Sequence, residues 1–66
     1  MLTEQEKMNN AFKEMLFYEE SIAKKYAQFS QQINDPKLKQ MLNGMEQSAR
    51  NHYSILSETM SKFKIV

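Results

Sequence analysis

The chain has 66 residues with a single proline, a single glycine, no cysteine and a net charge of +1. A chain of this length forms one small domain and buries only about 60% of its unfolded surface, so a monomer would be marginally stable. The lack of cysteine excludes disulfide bridges and Cys-based zinc sites, which leaves oligomerisation as the common means of stabilisation. The balanced charge excludes an extended basic surface for nucleic acid or anionic lipid.

The N-terminal segment bears on the cellular location of the protein. Its sequence, MLTEQEKMNN, is polar and acidic, unlike a secretory signal peptide. No apolar run in the chain approaches the roughly 18 residues that span a bilayer. We therefore expect a soluble, cytoplasmic protein that does not enter a membrane, and the absence of cysteine fits a reducing compartment.

The first predicted helix begins after Thr3. The segment TEQE matches a capping box, in which Thr3 is the N-cap and Glu6 is the third helical residue. Downstream, apolar residues recur at alternating spacings of four and three, which is one face of a helix about seven turns long. This first stripe consists of Met8, Phe12, Met15, Ile22, Tyr26, Phe29 and Ile33, with Glu19 in its middle.

The segment INDPKLKQML predicts the end of one helix and the start of the next. Asn34 can end the first helix, Asp35 is a good N-cap, and Pro36 then falls at the first helical position. Gly44 lies inside the second helix at a cost of about 1 kcal/mol relative to alanine, which a close helix–helix approach would explain. The second stripe consists of Leu38, Met41, Leu42, Met45, Ala49, Leu56, Met60 and Phe63, with His52 among them.

These elements predict an all-α fold, a two-helix antiparallel hairpin. Residues 1–66 form one domain, with a helix over about residues 3–33, a turn at 34–35 and a helix over about 36–63. Each helix is about 40 Å long, and so short a connection requires antiparallel packing. A single hairpin would leave much of both stripes in water. We therefore expect two copies to pair face to face as a homodimeric four-helix bundle.

Two polar residues interrupt the stripes at the same depth. Folding the chain about the turn puts Glu19 and His52 in one layer, about 3 Å apart along the axis and facing inward. The neighbouring Glu20 instead points to solvent, where it can pair with Lys24. One explanation is a buried Glu19–His52 hydrogen bond that fixes the register of the helices. The other is a metal site, because carboxylate and imidazole ligands suit Fe, Mn or Zn.

At these positions the sequence resembles the ferritin-like superfamily, in particular rubrerythrin-type and spore-coat F-type helical proteins. The segments YEESIAKKYAQF, NDPKLKQML and ARNHYSIL carry the resemblance and extend over most of the chain as one hairpin, half of the usual four-helix domain. The resemblance implies that Glu19 matches the first-helix metal ligand and that His52 matches the histidine of a Glu-x-x-His motif. Ala49 occupies the glutamate position of that motif, and Glu46, one turn earlier, is a third candidate ligand.

The sequence therefore leaves three functions open. The first is a non-enzymatic, ferritin-like bundle subunit with a degenerate metal site and a structural or interaction role, which the resemblance associates with spore coats. The second is a metal-binding protein that uses Glu19 and His52 of two subunits to hold Fe, Mn or Zn. The third is a helical adaptor that binds another protein. We expect no enzymatic activity; the resemblance implies that any activity would be rubrerythrin-like di-iron redox chemistry.

Overall fold

The computed structural model describes residues 3–63 as two helices, α1 (Glu4–Gln32) and α2 (Pro36–Lys62). Residues 33–35 join them, and the described range contains no strand. The helices pack side by side in a molecule of 50 × 22 × 11 Å, so the hairpin is one helix thick. The predicted all-α hairpin is confirmed.

Both predicted helix starts are present. The Thr3 hydroxyl accepts a hydrogen bond from the Glu6 backbone N–H, and the Glu6 carboxylate accepts one from the Thr3 backbone N–H. The Asp35 carboxylate accepts hydrogen bonds from the backbone N–H groups of Lys37 and Leu38, at 2.9 and 3.1 Å. These caps satisfy donors that the first turn of a helix leaves without an intrahelical partner.

The contact between the helices, here called the hairpin seam, has very little buried volume. Among residues 3–63 the buried side chains are Ala23, which is 1% exposed, and Ala49, which is 3% exposed. Small side chains at these two positions let the helix backbones approach closely. The seam is formed in α1 by Phe12, Leu16, Glu19, Ala23, Tyr26, Ser30 and Ile33, and in α2 by Leu42, Glu46, Ala49, Leu56 and Met60.

Two polar contacts between the helices define their register. The Ser30 hydroxyl donates a hydrogen bond of 2.8 Å to the Asn43 side-chain oxygen. Nearer the middle of the hairpin, His52 Nδ1 lies 3.5 Å from Glu19 Oε2. With these contacts fixed, Phe29 of α1 is level with Asn43 and Gly44 of α2.

The hairpin seam does not coincide with the apolar stripes. At 100° per residue, the centre of each stripe lies roughly 40° from the centre of the seam. Because the helices are antiparallel, both stripes turn toward the same side of the hairpin, where the chain leaves an open face. The open face is formed in α1 by Met8, Ala11, Met15, Tyr18, Ile22, Lys25 and Phe29, and in α2 by Leu38, Met41, Met45, Ser48, His52, Ile55 and Thr59.

The opposite side of the hairpin is charged. Lys24 pairs with Glu20 at 3.2 Å, as the sequence predicts, and Arg50 pairs with Glu46 at 2.8 Å. Each pair is four residues apart on one helix and stabilises it only slightly, although Glu46, at the edge of the hairpin seam, is only 23% exposed. The hairpin therefore has one apolar side and one mainly charged side, on which the Phe17 side chain is also 73% exposed.

Candidate functional site

The helices bring Glu19 and His52 together in the middle of the hairpin. The Glu19 side chain lies in the hairpin seam and is 20% exposed, whereas the His52 side chain lies on the open face and is 60% exposed. Their 3.5 Å separation is within the range of an ion pair and is long for a hydrogen bond. The sequence prediction of one shared layer is confirmed, but the hairpin alone does not enclose the histidine.

The Glu19–His52 pair separates two shallow apolar depressions on the open face. Both residues line both depressions. The depression nearer the turn is completed by Ile22, Tyr26, Met41, Gly44, Met45, Ser48 and Ala49. The depression farther from the turn is completed by Met15, Tyr18, Ile55 and Leu56. The pair is thus the polar centre of an otherwise largely apolar surface.

Glu46, the third candidate ligand, does not join the pair. Glu46 Oε2 accepts hydrogen-bonding contacts of 2.8 Å from both Nε and Nη2 of Arg50. It lines neither depression at Glu19 and His52. Within residues 3–63, no group of three or more carboxylate, imidazole or thiol side chains is placed to hold a metal ion.

Ala49 has a packing role in this structure. It is almost completely buried in the hairpin seam and forms part of the floor of the turn-side depression. A glutamate at this position would put a longer, charged side chain into a closely packed part of the seam. Ala49 is therefore one of the residues that let the two helices pack closely.

The number and type of possible metal ligands can be compared with those that a metal ion requires. One chain offers one carboxylate and one imidazole, whereas a closed metal site has four or more ligands. Two copies together would supply two carboxylates and two imidazoles, which suits a single divalent ion. The set does not fit a dinuclear carboxylate-bridged centre, which uses four carboxylates and two histidines.

Ile55 and Tyr18 are large side chains of the open face that belong to neither apolar stripe. Ile55 is among the most exposed apolar side chains of the hairpin, and both residues line the depression far from the turn. The signal for them was a second heptad pattern. Residues of the open face follow spacings of three and four residues along each helix, parallel to the pattern of the hairpin seam.

Comparison with known protein families, with curated proteins and with solved structures gives no match. In the described range, neither helix is both long enough and apolar enough to cross a membrane.

Proposed function

We propose that this chain is a structural subunit that pairs with a second copy through the open face and forms a four-helix bundle. The observation that carries the proposal is the distribution of apolar side chains. The hairpin buries two alanines but leaves Met15, Phe29 and Met45 exposed on one side. A domain whose large apolar side chains remain in water lacks the burial that stabilises a fold.

The size and chemistry of the open face support a second copy as the occupant. A face about 40 Å long and about 20 Å wide covers roughly 800 Å², which is the area each partner contributes to a standard protein interface. The face is apolar along most of its length, with the Glu19–His52 layer near its middle and further polar side chains at Lys25, Ser48 and Thr59. A two-fold pair would set the apolar depressions of one copy against those of the other.

The resemblance of the sequence to ferritin-like proteins supports a more specific role. On this proposal the chain is half of a ferritin-like bundle, completed by dimerisation, with a degenerate metal site and no enzymatic activity. The substitution of Ala49 for the motif glutamate supports the degenerate site, because a dinuclear centre needs that carboxylate. A cytoplasmic location is proposed from the lack of cysteine and of a long apolar run, and association with a spore coat from the resemblance.

Sedimentation equilibrium tests the dimer. We expect a mass of twice the 7.8 kDa of one chain. Met45→Glu places a charge on the open face and should yield monomers, because an unpaired charge is costly to bury in an interface. Gln47→Glu is the matched control: Gln47 lies on the outer side of the same helix, so this variant should remain dimeric.

A monomeric wild-type chain would contradict the dimer and favour the adaptor, whose open face binds a helix of another protein. The adaptor would then bind an amphipathic helix in the way that a hydrophobic groove does.

Metal binding is a second candidate function, favoured by the 3.5 Å approach of Glu19 to His52. If two copies bring both pairs together, they provide ligands for a single Fe, Mn or Zn ion. Dialysis against each divalent ion followed by elemental analysis would measure one ion per dimer. Glu19→Ala should abolish that binding, while Glu20→Ala, which alters an adjacent exposed carboxylate, should preserve it. Wild-type protein that retains no metal would support the degenerate site.

A further inference from the structure

We infer that the second copy packs with its turn at the same end of the bundle, so that Phe29 of each copy fits into a hole at Gly44 of the other. This inference rests on the proposed four-helix dimer and specifies how the two copies fit together. It departs from the ferritin-like topology, whose single long crossover connection puts the turns of its two hairpins at opposite ends. In this arrangement α1 of one copy lies against α2 of the other. The two-fold axis then runs parallel to the helices.

Gly44 forms a gap in the surface of α2. A side-chain carbon placed at Gly44 would meet nothing within 4 Å, so α1 of the same chain does not explain the glycine. The close approach expected from the sequence therefore does not occur within the hairpin. Gly44 instead lines the turn-side depression of the open face, where a second molecule can reach it.

The residues around this gap have the spacing of a coiled-coil hole. A knob from a facing helix inserts among four residues at positions i, i+3, i+4 and i+7. Met41, Gly44, Met45 and Ser48 have that spacing, and all four line the same depression. Because the second of the four is a glycine, this hole is wider than its neighbours and suits a large knob.

Phe29 is large enough to fill the hole, and it lies at the matching height along the bundle axis. It is 52% exposed on the open face of α1, and within its own chain it is level with Asn43 and Gly44. A two-fold axis parallel to the helices keeps every residue at its own level in the partner. The partner's Phe29 side chain therefore arrives within about 2 Å of the centre of the hole along the helix axis.

The rest of the open face fits the same arrangement. Along the bundle axis, open-face residues of α1 in one copy lie between those of α2 in the other copy, so their side chains do not collide. Ile22 falls between Ser48 and His52, and Met15 falls between Ile55 and Thr59. Alternating levels are what knobs-into-holes packing requires. The Glu19–His52 layers of both copies also coincide without any sliding of one hairpin along the other.

The competing arrangement is that of a ferritin-like bundle and places the turns at opposite ends. There α1 of one copy would pack against α1 of the other copy, and α2 would pack against α2. With the two Glu19–His52 layers aligned, Phe29 would lie near Ala11 of the partner, and the hole at Gly44 would lie near Thr59. The two arrangements thus predict different neighbours for Phe29.

Engineered cysteines distinguish them, because the natural chain has none. Phe29→Cys and Gly44→Cys chains of different length are mixed, unfolded, refolded together and oxidised. We expect disulfide-linked heterodimers in the mixture and only background linkage for either variant alone. Phe29→Cys mixed with Gln47→Cys, whose site lies on the outer side of α2, is the matched control and should give background.

Heterodimers from Phe29→Cys with Ala11→Cys, in place of those with Gly44→Cys, would overturn the same-end arrangement. No linkage in either mixture would overturn it as well. Failure of the underlying dimer is a separate result, because the unmodified chain would then sediment as a monomer.

A second measurement avoids changing Phe29. Gly44→Leu fills the hole and should raise the dimer dissociation constant by about tenfold or more, because overpacking a closed interface is costly. Gln47→Leu adds the same side chain outside the interface and should change the constant by less than about threefold. Equal constants for the two variants would contradict a filled hole at Gly44.

Discussion

The Ser30 hydroxyl donates a 2.8 Å hydrogen bond to the Asn43 side-chain oxygen, joining α1 to α2 near the turn. Together with the approach of His52 to Glu19, this bond places the helices in one register. Register matters in this hairpin because, among residues 3–63, only Ala23 and Ala49 are buried, and a shift would separate them. Polar contacts thus specify an alignment that the apolar contacts define weakly.

Ser30→Ala should therefore lower stability when compared with a suitable reference. Ser57→Ala, at an exposed serine of α2, measures the gain in helix propensity that accompanies any such change. Relative to that control, we expect Ser30→Ala to reduce the free energy of unfolding by about 0.5–1 kcal/mol. Urea denaturation followed by circular dichroism measures both. Equal values would show that the hydrogen bond contributes nothing in solution.

Enlarging Ala49 should separate the helices. Ala49 is 3% exposed, so Ala49→Leu introduces a larger side chain into a close contact between the helices. We expect a loss of roughly 1–3 kcal/mol in the free energy of unfolding, as overpacking typically costs. Ala27→Leu, at a half-buried alanine on the margin of the seam, should cost less. Thermal melting at equal protein concentration compares them, and a stabilised Ala49→Leu variant would disprove close packing at this position.

Replacing both members of the polar layer should be better tolerated than replacing one. His52→Leu alone leaves the largely covered Glu19 carboxylate without its neighbour, so the melting temperature should fall. Glu19→Leu combined with His52→Leu removes both polar groups and should restore or raise it. Calorimetry at one protein concentration makes the comparison. A double variant that melts below His52→Leu would indicate that the layer is needed for folding.

The melting temperature of the wild-type chain should depend on its concentration. If large apolar side chains are covered only in the dimer, association stabilises the fold by mass action. We expect the melting temperature to rise steadily as protein concentration is raised from micromolar to millimolar. Met45→Glu is the matched variant, and its melting temperature should be lower and independent of concentration. A concentration-independent wild type would argue for a stable monomer.

The sequence predicted the local structure closely because the signals are local. Thr3 with Glu6 and Asp35 with Pro36 are short-range caps whose chemistry acts within one turn of helix, and both helices begin where these residues predict. The layer shared by Glu19 and His52 was also predictable, because a short turn fixes which residues of two straight helices are level. Their side-chain separation and unequal exposure were not.

Only the tertiary structure decided which part of each apolar stripe the other helix covers. Helical periodicity gives the direction of a stripe, but these stripes are wider than one helix–helix contact, so either margin could have formed the seam. Close packing at Ala23 and Ala49 selected one margin and left Met45, His52 and Phe29 on the open face. The sequence by itself therefore determined two capped amphipathic helices and their polar layer. Their packing determined that this layer is half covered and that a single apolar face remains exposed.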